Sequence, residues 1–260
     1  MPETISDNVS FRLIRLIVPN AITVGAILAG YVSILESFYG EYVIAAGFII
    51  GAAILDMFDG RVARAMNATT EFGVEFDSLA DLVNYGVAPA LLFYFFYFEQ
   101  WGVIGIILSF LPVCCAAIRL ARFNVTSDPD IPTRYFIGLP TTIAALVLAG
   151  FVIFTNSLPF YYDSSHEAAF IIITTALLMV SNIQYEKSNI LSLRYILKTR
   201  RIITGIVIIA SLILIPETAF FAWGLLYIMY GLMRSAIRTL LRGNDDDVEA
   251  IIDEEYSLTL

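Results

Sequence analysis

Histidine and cysteine are nearly missing from this chain of 260 residues, which has one His and two Cys. That scarcity leaves little room for imidazole or thiolate chemistry. His166 reads as a loop residue rather than a catalyst. Cys114 and Cys115 are adjacent within an apolar run, so they offer no disulfide framework and read as small packing residues. Charge is scarce as well, at 15% of residues against 58% hydrophobic, with a mean hydropathy of +0.79. Such a balance excludes an ordinary soluble core and fits a polytopic membrane protein. A cleavable leader is not apparent, because Met1 to Ser10 is polar and acidic. Internal repeats and a separate soluble domain are also lacking. No nucleic-acid partner is expected. The net charge of −9 owes much to the C-terminal tail and says little about partners.

Against this apolar background, four carboxylates stand out. Asp56 and Asp59 are three apart, and Asp77 and Asp81 are four apart, so on helices each pair shares one face. Met66 to Thr70 (MNATT) between them reads as a tight turn. Two antiparallel helices would then set Asp56 beside Asp81, and Asp59 beside Asp77. Four like charges in a low-dielectric setting oppose joint ionisation. A cation relieves this, and oxygen-only ligands suit Mg²⁺, Mn²⁺ or Ca²⁺. So dense a cluster suits two such ions acting on phosphate oxygens. The plainer alternative is pairing of the acids with Arg61 and Arg64 for helix packing. Two arginines cannot neutralise four acids, and intramembrane ionisable residues are functional by default. Gly60 and Gly73 would let a ligand approach the backbone, or serve as helix-packing glycines.

The full pattern is D-x2-D-G-x2-A-R-x8-G-x3-D-x3-D, running from Asp56 to Asp81 without gap or substitution. It resembles the signature of the CDP-alcohol phosphotransferases, integral membrane enzymes that move a phosphatidyl-type group from a CDP-linked lipid to an alcohol and release CMP. The resemblance covers about residues 17–185. It implies that Asp56, Asp59 and Asp77 are metal ligands for two divalent cations, Mg²⁺ or Mn²⁺. Asp81 becomes the candidate general base and a further metal ligand. Gly60, Ala63, Arg64 and Gly73 match CDP-binding positions, and Arg64 can pair with pyrophosphate through its planar fork. Asn20 and Thr23 either line the nucleotide pocket or make packing contacts. A homodimer is expected from the family.

Read in order, the chain predicts an all-α, polytopic transmembrane bundle of about eight spans: a six-helix family core plus two C-terminal helices. Residues 1–18 form an N-terminal segment in which Arg12 and Arg15 share one face of an otherwise apolar stretch. Ser10 to Ile17 is either an amphipathic surface helix or the start of the first span, and Pro19 is expected to break the chain there. The core occupies 19–185, with spans near 20–38, 41–66, 71–98, 101–125, 137–157 and 167–185. A basic linker, 186–201, precedes two further spans near 202–216 and 219–241, within a 202–241 segment. The tail, 242–260, carries seven acids and no base from Asn244 onward, and is expected to be solvated and disordered.

With these spans, all 15 Lys and Arg fall on one side of the membrane. The opposite loops carry acids and His166. The positive-inside rule therefore places both termini and the aspartates at the cytoplasmic face of the cell membrane. Tyr94 to Phe98 reads as an aromatic belt at the outer interface.

The acceptor alcohol is suggested by the wider wording. Asp77-Ser-Leu-Ala-Asp81-Leu-Val-Asn-Tyr-Gly86, Arg119-Leu-Ala-Arg122-Phe-Asn124 and Tyr135-Phe-Ile-Gly-Leu-Pro140 are similar to the phosphatidylserine synthase branch of the family. Tyr85 stands where many members have Phe, with little consequence expected. The resemblance implies transfer from CDP-diacylglycerol or CDP-archaeol to L-serine. Arg119, Arg122 and Asn124 would hold the serine, or the two arginines would be positive-inside anchors. Glycerol 3-phosphate or inositol phosphate is the alternative acceptor. A divalent-cation transporter is the alternative outside the family. The almost wholly apolar outer halves of the second and third spans argue against it.

Overall fold

A computed structural model describes residues 5–66, 68, 70–126, 135–158, 163–186 and 199–257. Among them the chain forms eight helical elements. These are α1 (Ile5–Phe38), α2 (Tyr42–Ala65), α3 (Glu71–Trp101), α4 (Val103–Thr126), α5 (Thr141–Asn156), α6 (Ser165–Val180), α7 (Thr199–Leu214) and α8 (Pro216–Ser257). The only strands among the described residues are β1 (Tyr135–Ile137) and β2 (Gln184–Glu186), paired antiparallel with Phe136 opposite Tyr185. Five segments are long and apolar enough to cross a bilayer: Ile17–Phe38, Tyr42–Ala65, Glu71–Trp101, Val103–Thr126 and Glu217–Ile237. Helices α5 and α6 are apolar but shorter, at 16 residues each.

Three expectations are corrected. Pro19 does not break the chain. Helix α1 runs through it, so Ser10 to Ile17 belongs to the same helix as the first span. A proline within a long helix removes one hydrogen bond, which the packing of the remaining turns can offset. The fifth and sixth spans do not reach 137 and 185. Gly138 takes a positive φ of 79° and Ser181 turns extended, so those ends leave the helix and become the β1–β2 pair. The acidic tail is not irregular: α8 continues to Ser257. Gly243 stands just before the Asp run, and one glycine costs only about 1 kcal/mol.

Helix α3 carries two π-helical segments, Leu82–Val87 and Tyr94–Phe98. Each widens the turn and rotates the residues that follow. Its start is set by Thr70, whose Oγ1 accepts the Gly73 N–H at 3.0 Å, with Glu71 in the first turn. The expected turn before it lies partly outside the described residues, at Asn67 and Thr69.

The core has two parts. One joins α2, α3, α5 and α6 through Ile49, Leu92, Phe93, Leu148 and Ile172. The other joins α4, α5, α6, β2 and α8 through Ala116, Val147, Met179, Tyr185 and Ile228. Helix α8 lies against α5 at backbone distance. A Cβ on Gly150 would come within 2.7 Å of the Phe221 nitrogen, and Gly224 faces Val147 just as closely. Small residues at such contacts let helices approach where lipid offers no hydrophobic drive.

Candidate functional site

The aspartates are positioned by α2 and α3. Asp59 is buried, while Asp56 and Asp77 are half-buried. One ligand oxygen from each of Asp56, Asp59 and Asp77 falls within 4.8 Å of the others. Asp81 stands outside this triad, close enough for the charges of Asp56, Asp77 and Arg119 to act on it.

Around the triad the nearby donors are neutral. The Thr23 hydroxyl donates to Asp59 Oδ2 at 2.9 Å. The Gly60 N–H donates to Asp59 Oδ1. The Tyr85 hydroxyl donates to Asp56 Oδ2 at 3.1 Å. Arg61 lies over the Phe58 ring at 6.0 Å, and its Nη2 is buried without a partner, so it does not serve the acids by hydrogen bonding there. Three clustered carboxylates with only neutral donors are poorly compensated, and a hard divalent cation is the partner their oxygens fit.

One cleft opens beside the triad. Asn20, Thr23, Gly60, Ala63, Arg64 and Gly73 all line it, with Asp59 and Asp77 in its wall. The sequence named these six residues for the CDP group, and the fold brings them together. The two glycines differ in kind. A Cβ on Gly60 would meet nothing closer than Arg64 Nη1 at 3.8 Å, so the protein itself does not require glycine there. The free space belongs to the cleft. A Cβ on Gly73 would come within 3.1 Å of Thr70 Oγ1, so Gly73 also protects the cap of α3.

The α4 residues separate into distinct surroundings. Arg119 is buried, near Asp81, with its Nε unpartnered. Arg122 is occupied. Its Nη2 donates to Ile137 O at 3.2 Å and Ser181 O at 3.4 Å, and its Nη1 to Val180 O at 3.4 Å and Asn182 Oδ1 at 3.5 Å. It thus caps the C-terminus of α6 and holds the β1 strand against it. Asn124 faces α3, donating to Glu75 Oε2 and to Ser78 Oγ, each at 3.1 Å.

Sequence reasoning missed Tyr85, Ser78 and Glu75 as partners of site residues. For Ser78 a usable signal was its place between Asp77 and Asp81. For Tyr85 there was none, because an α-helical count ignores the π segment that directs it. His166 packs against Trp101 at 5.4 Å, on the same end of the bundle as Asp163.

Comparison with known proteins gives the same answer. The family model for CDP-alcohol phosphatidyltransferases matches residues 16–181. The chain is 38% identical over 219 residues to the CDP-diacylglycerol–serine O-phosphatidyltransferase of Helicobacter pylori strain J99, covering 83% of this chain and 90% of that protein. The Bacillus subtilis protein of the same name is 37% identical over 131 residues, covering 50% of this chain and 72% of its own. An archaetidylserine synthase of Methanothermobacter thermautotrophicus is 37% identical over 161 residues, covering 61% and 65% respectively. With three of the motif's four aspartates gathered beside one cleft and the match spanning most of the helical core, this integral membrane protein belongs to the CDP-alcohol phosphatidyltransferase family.

Proposed function

We propose that the protein transfers a phosphatidyl group from CDP-diacylglycerol, or its archaeol counterpart, to L-serine, giving phosphatidylserine or archaetidylserine and CMP. The observation that carries this is the conjunction of the Asp56–Asp59–Asp77 triad with a cleft lined by the motif's own small and basic residues. The similarity to serine-using relatives favours serine over glycerol 3-phosphate or inositol phosphate.

Asp56, Asp59 and Asp77 would hold two divalent ions, Mg²⁺ or Mn²⁺. Bound there, the ions would supply charge neutralisation on the pyrophosphate and on the departing CMP. The protein's own residues do the rest. Gly60 and Ala63 leave space for the nucleotide against α2. Arg64, exposed at the mouth of the cleft, can pair with the pyrophosphate through its fork. Asp81 takes the proton of the attacking hydroxyl, and would also reach a metal in this reading. Arg119 is the buried cation for the serine carboxylate, with Arg122 and Asn124 fixing the acceptor end of α4.

All eight helices would cross the membrane, with both termini and the aspartates at the cytoplasmic face. The bias of Lys and Arg supports that orientation. The homodimer expected from the family is part of the same proposal. Incubating purified protein with CDP-lipid, Mg²⁺ or Mn²⁺ and a panel of alcohols tests the reaction. Serine-dependent release of CMP with formation of the serine lipid is expected. CMP release that ignores serine but follows another alcohol overturns the acceptor.

A further inference from the structure

Arg119 Nε on α4 and the Tyr185 hydroxyl on β2 are buried donors without a partner. Tyr185 is 1% exposed and lies past the end of the family match. Its ring stacks on Tyr227 of α8, with centroids 5.6 Å apart and planes 16° off parallel. On the same helix, Gly231 gives that ring its space, because a Cβ there would collide with the ring edge. Tyr227 also lies close enough to Arg119 for the two to interact, and Arg119 in turn interacts with Asp81. Ala116, one turn before Arg119, packs in the same cluster as Tyr185 and Ile228. A path of neighbours therefore runs from Asp81 through Arg119 and Tyr227 to Tyr185.

A buried hydroxyl left unpaired is costly, and native proteins leave few. Arg119 Nε, linked to this ring through Tyr227, is unpaired as well. Arg119 Nε can only donate, and the Tyr185 hydroxyl can donate, so one acceptor could serve both. Burial, with Tyr227 beside it, pushes the Tyr185 hydroxyl up to about 12. It therefore keeps its proton at neutral pH and is available to donate it. A carboxylate is the acceptor group that suits an arginine and a phenol together.

We propose that Arg119 and Tyr185 form the carboxylate end of the acceptor subsite, and that α8, outside the family core, closes it through Tyr227 and Gly231. This rests on the reading of serine as acceptor. It gives the appended helix a role in substrate binding, not only in packing.

The test uses the full-length protein purified in detergent, with CDP-diacylglycerol, Mn²⁺ and serine. The Tyr185→Phe variant keeps the ring and its stacking and removes only the hydroxyl. Its serine KM should rise roughly tenfold or more, as expected for one hydrogen bond to a charged group. Its KM for the CDP-lipid and its thermal midpoint should match the parent. Gly231→Ala should raise the serine KM by displacing the ring, while Tyr230→Phe, on the exposed side of α8, should change neither KM. An unchanged serine KM in Tyr185→Phe overturns the subsite, as does an equal rise in both KM values. If the parent protein releases no CMP on adding serine, the serine reading itself fails, and the subsite fails with it. Serine-dependent release with an indifferent Tyr185→Phe sinks the subsite alone.

Discussion

The Tyr85 hydroxyl reaches across from α3 to donate to Asp56 Oδ2 on α2, at 3.1 Å. Tyr85 is 1% exposed and sits within the first π segment, so its position is fixed by packing. Phe was expected to serve as well there, and the geometry argues otherwise. One Asp56 oxygen is thereby held in place beside the triad. Tyr85→Phe should raise the Mn²⁺ concentration needed for half-maximal thermal stabilisation by roughly tenfold or more, the worth of one hydrogen bond to a charged group. The activation midpoint should move in step. Identical Mn²⁺ titrations for parent and variant would remove Tyr85 from the site.

The acids themselves should be far more sensitive. Asp59→Asn replaces a buried charged ligand by a neutral amide and should abolish transfer. Asp56→Asn and Asp77→Asn should do the same. Asp163→Asn changes an exposed loop carboxylate whose contacts are with Ser165, and should leave turnover near normal. Near-normal turnover in properly folded Asp59→Asn would sink the metal reading of the triad.

Arg122 offers a separate test, because its fork spans three carbonyls and one side-chain amide. Lysine keeps the charge but cannot reach several acceptors at once. Arg122→Lys should destabilise the protein by about 1.5–3 kcal/mol, the range for charge-assisted hydrogen bonds. It should also raise the serine KM more than the CDP-lipid KM, since β1 carries β2 and with it Tyr185. Thermal unfolding and both KM values measured on one preparation decide this. An unaltered midpoint would mean that the four contacts contribute nothing.

Orientation can be checked by labelling. On a background lacking Cys114 and Cys115, a cysteine replacing exposed His166 should react with an impermeant thiol reagent added to intact cells. One replacing exposed Val125, at the other end of the bundle, should react only after lysis. The reverse pattern would put the CDP cleft on the wrong side.

Much of this site was legible in the sequence, and the reason is local. Asp56 and Asp59 share one turn of one helix, so spacing alone places them on one face, and the motif supplies its second half 13 residues past Arg64 at Asp77. The six cleft residues follow from the same two helices and the middle of α1. Features that depend on distant contacts were not legible. The path of α1 through Pro19 is supported by its long packing against α2. Asp81 falls outside the triad although its spacing from Asp77 is regular, and spacing alone does not tell which carboxylates converge. The work of Arg122 depends on carbonyls 15 to 59 positions away, in segments expected to be plain helix. Residue type showed a cation there but not what it holds.

Gly150, Gly224 and Gly231 each meet the neighbouring element without a side chain between. Those notches are cut to the shape of a backbone, a valine side chain and an aromatic ring, and acyl chains would fill them poorly. A nascent chain that has threaded only its first 215 residues would already own every aspartate of the motif, yet would show lipid an unfinished seam. The order of synthesis therefore makes the last helix the one that seals the molecule. Loss of a late segment by truncation should count as damage to the whole bundle, however intact the motif upstream.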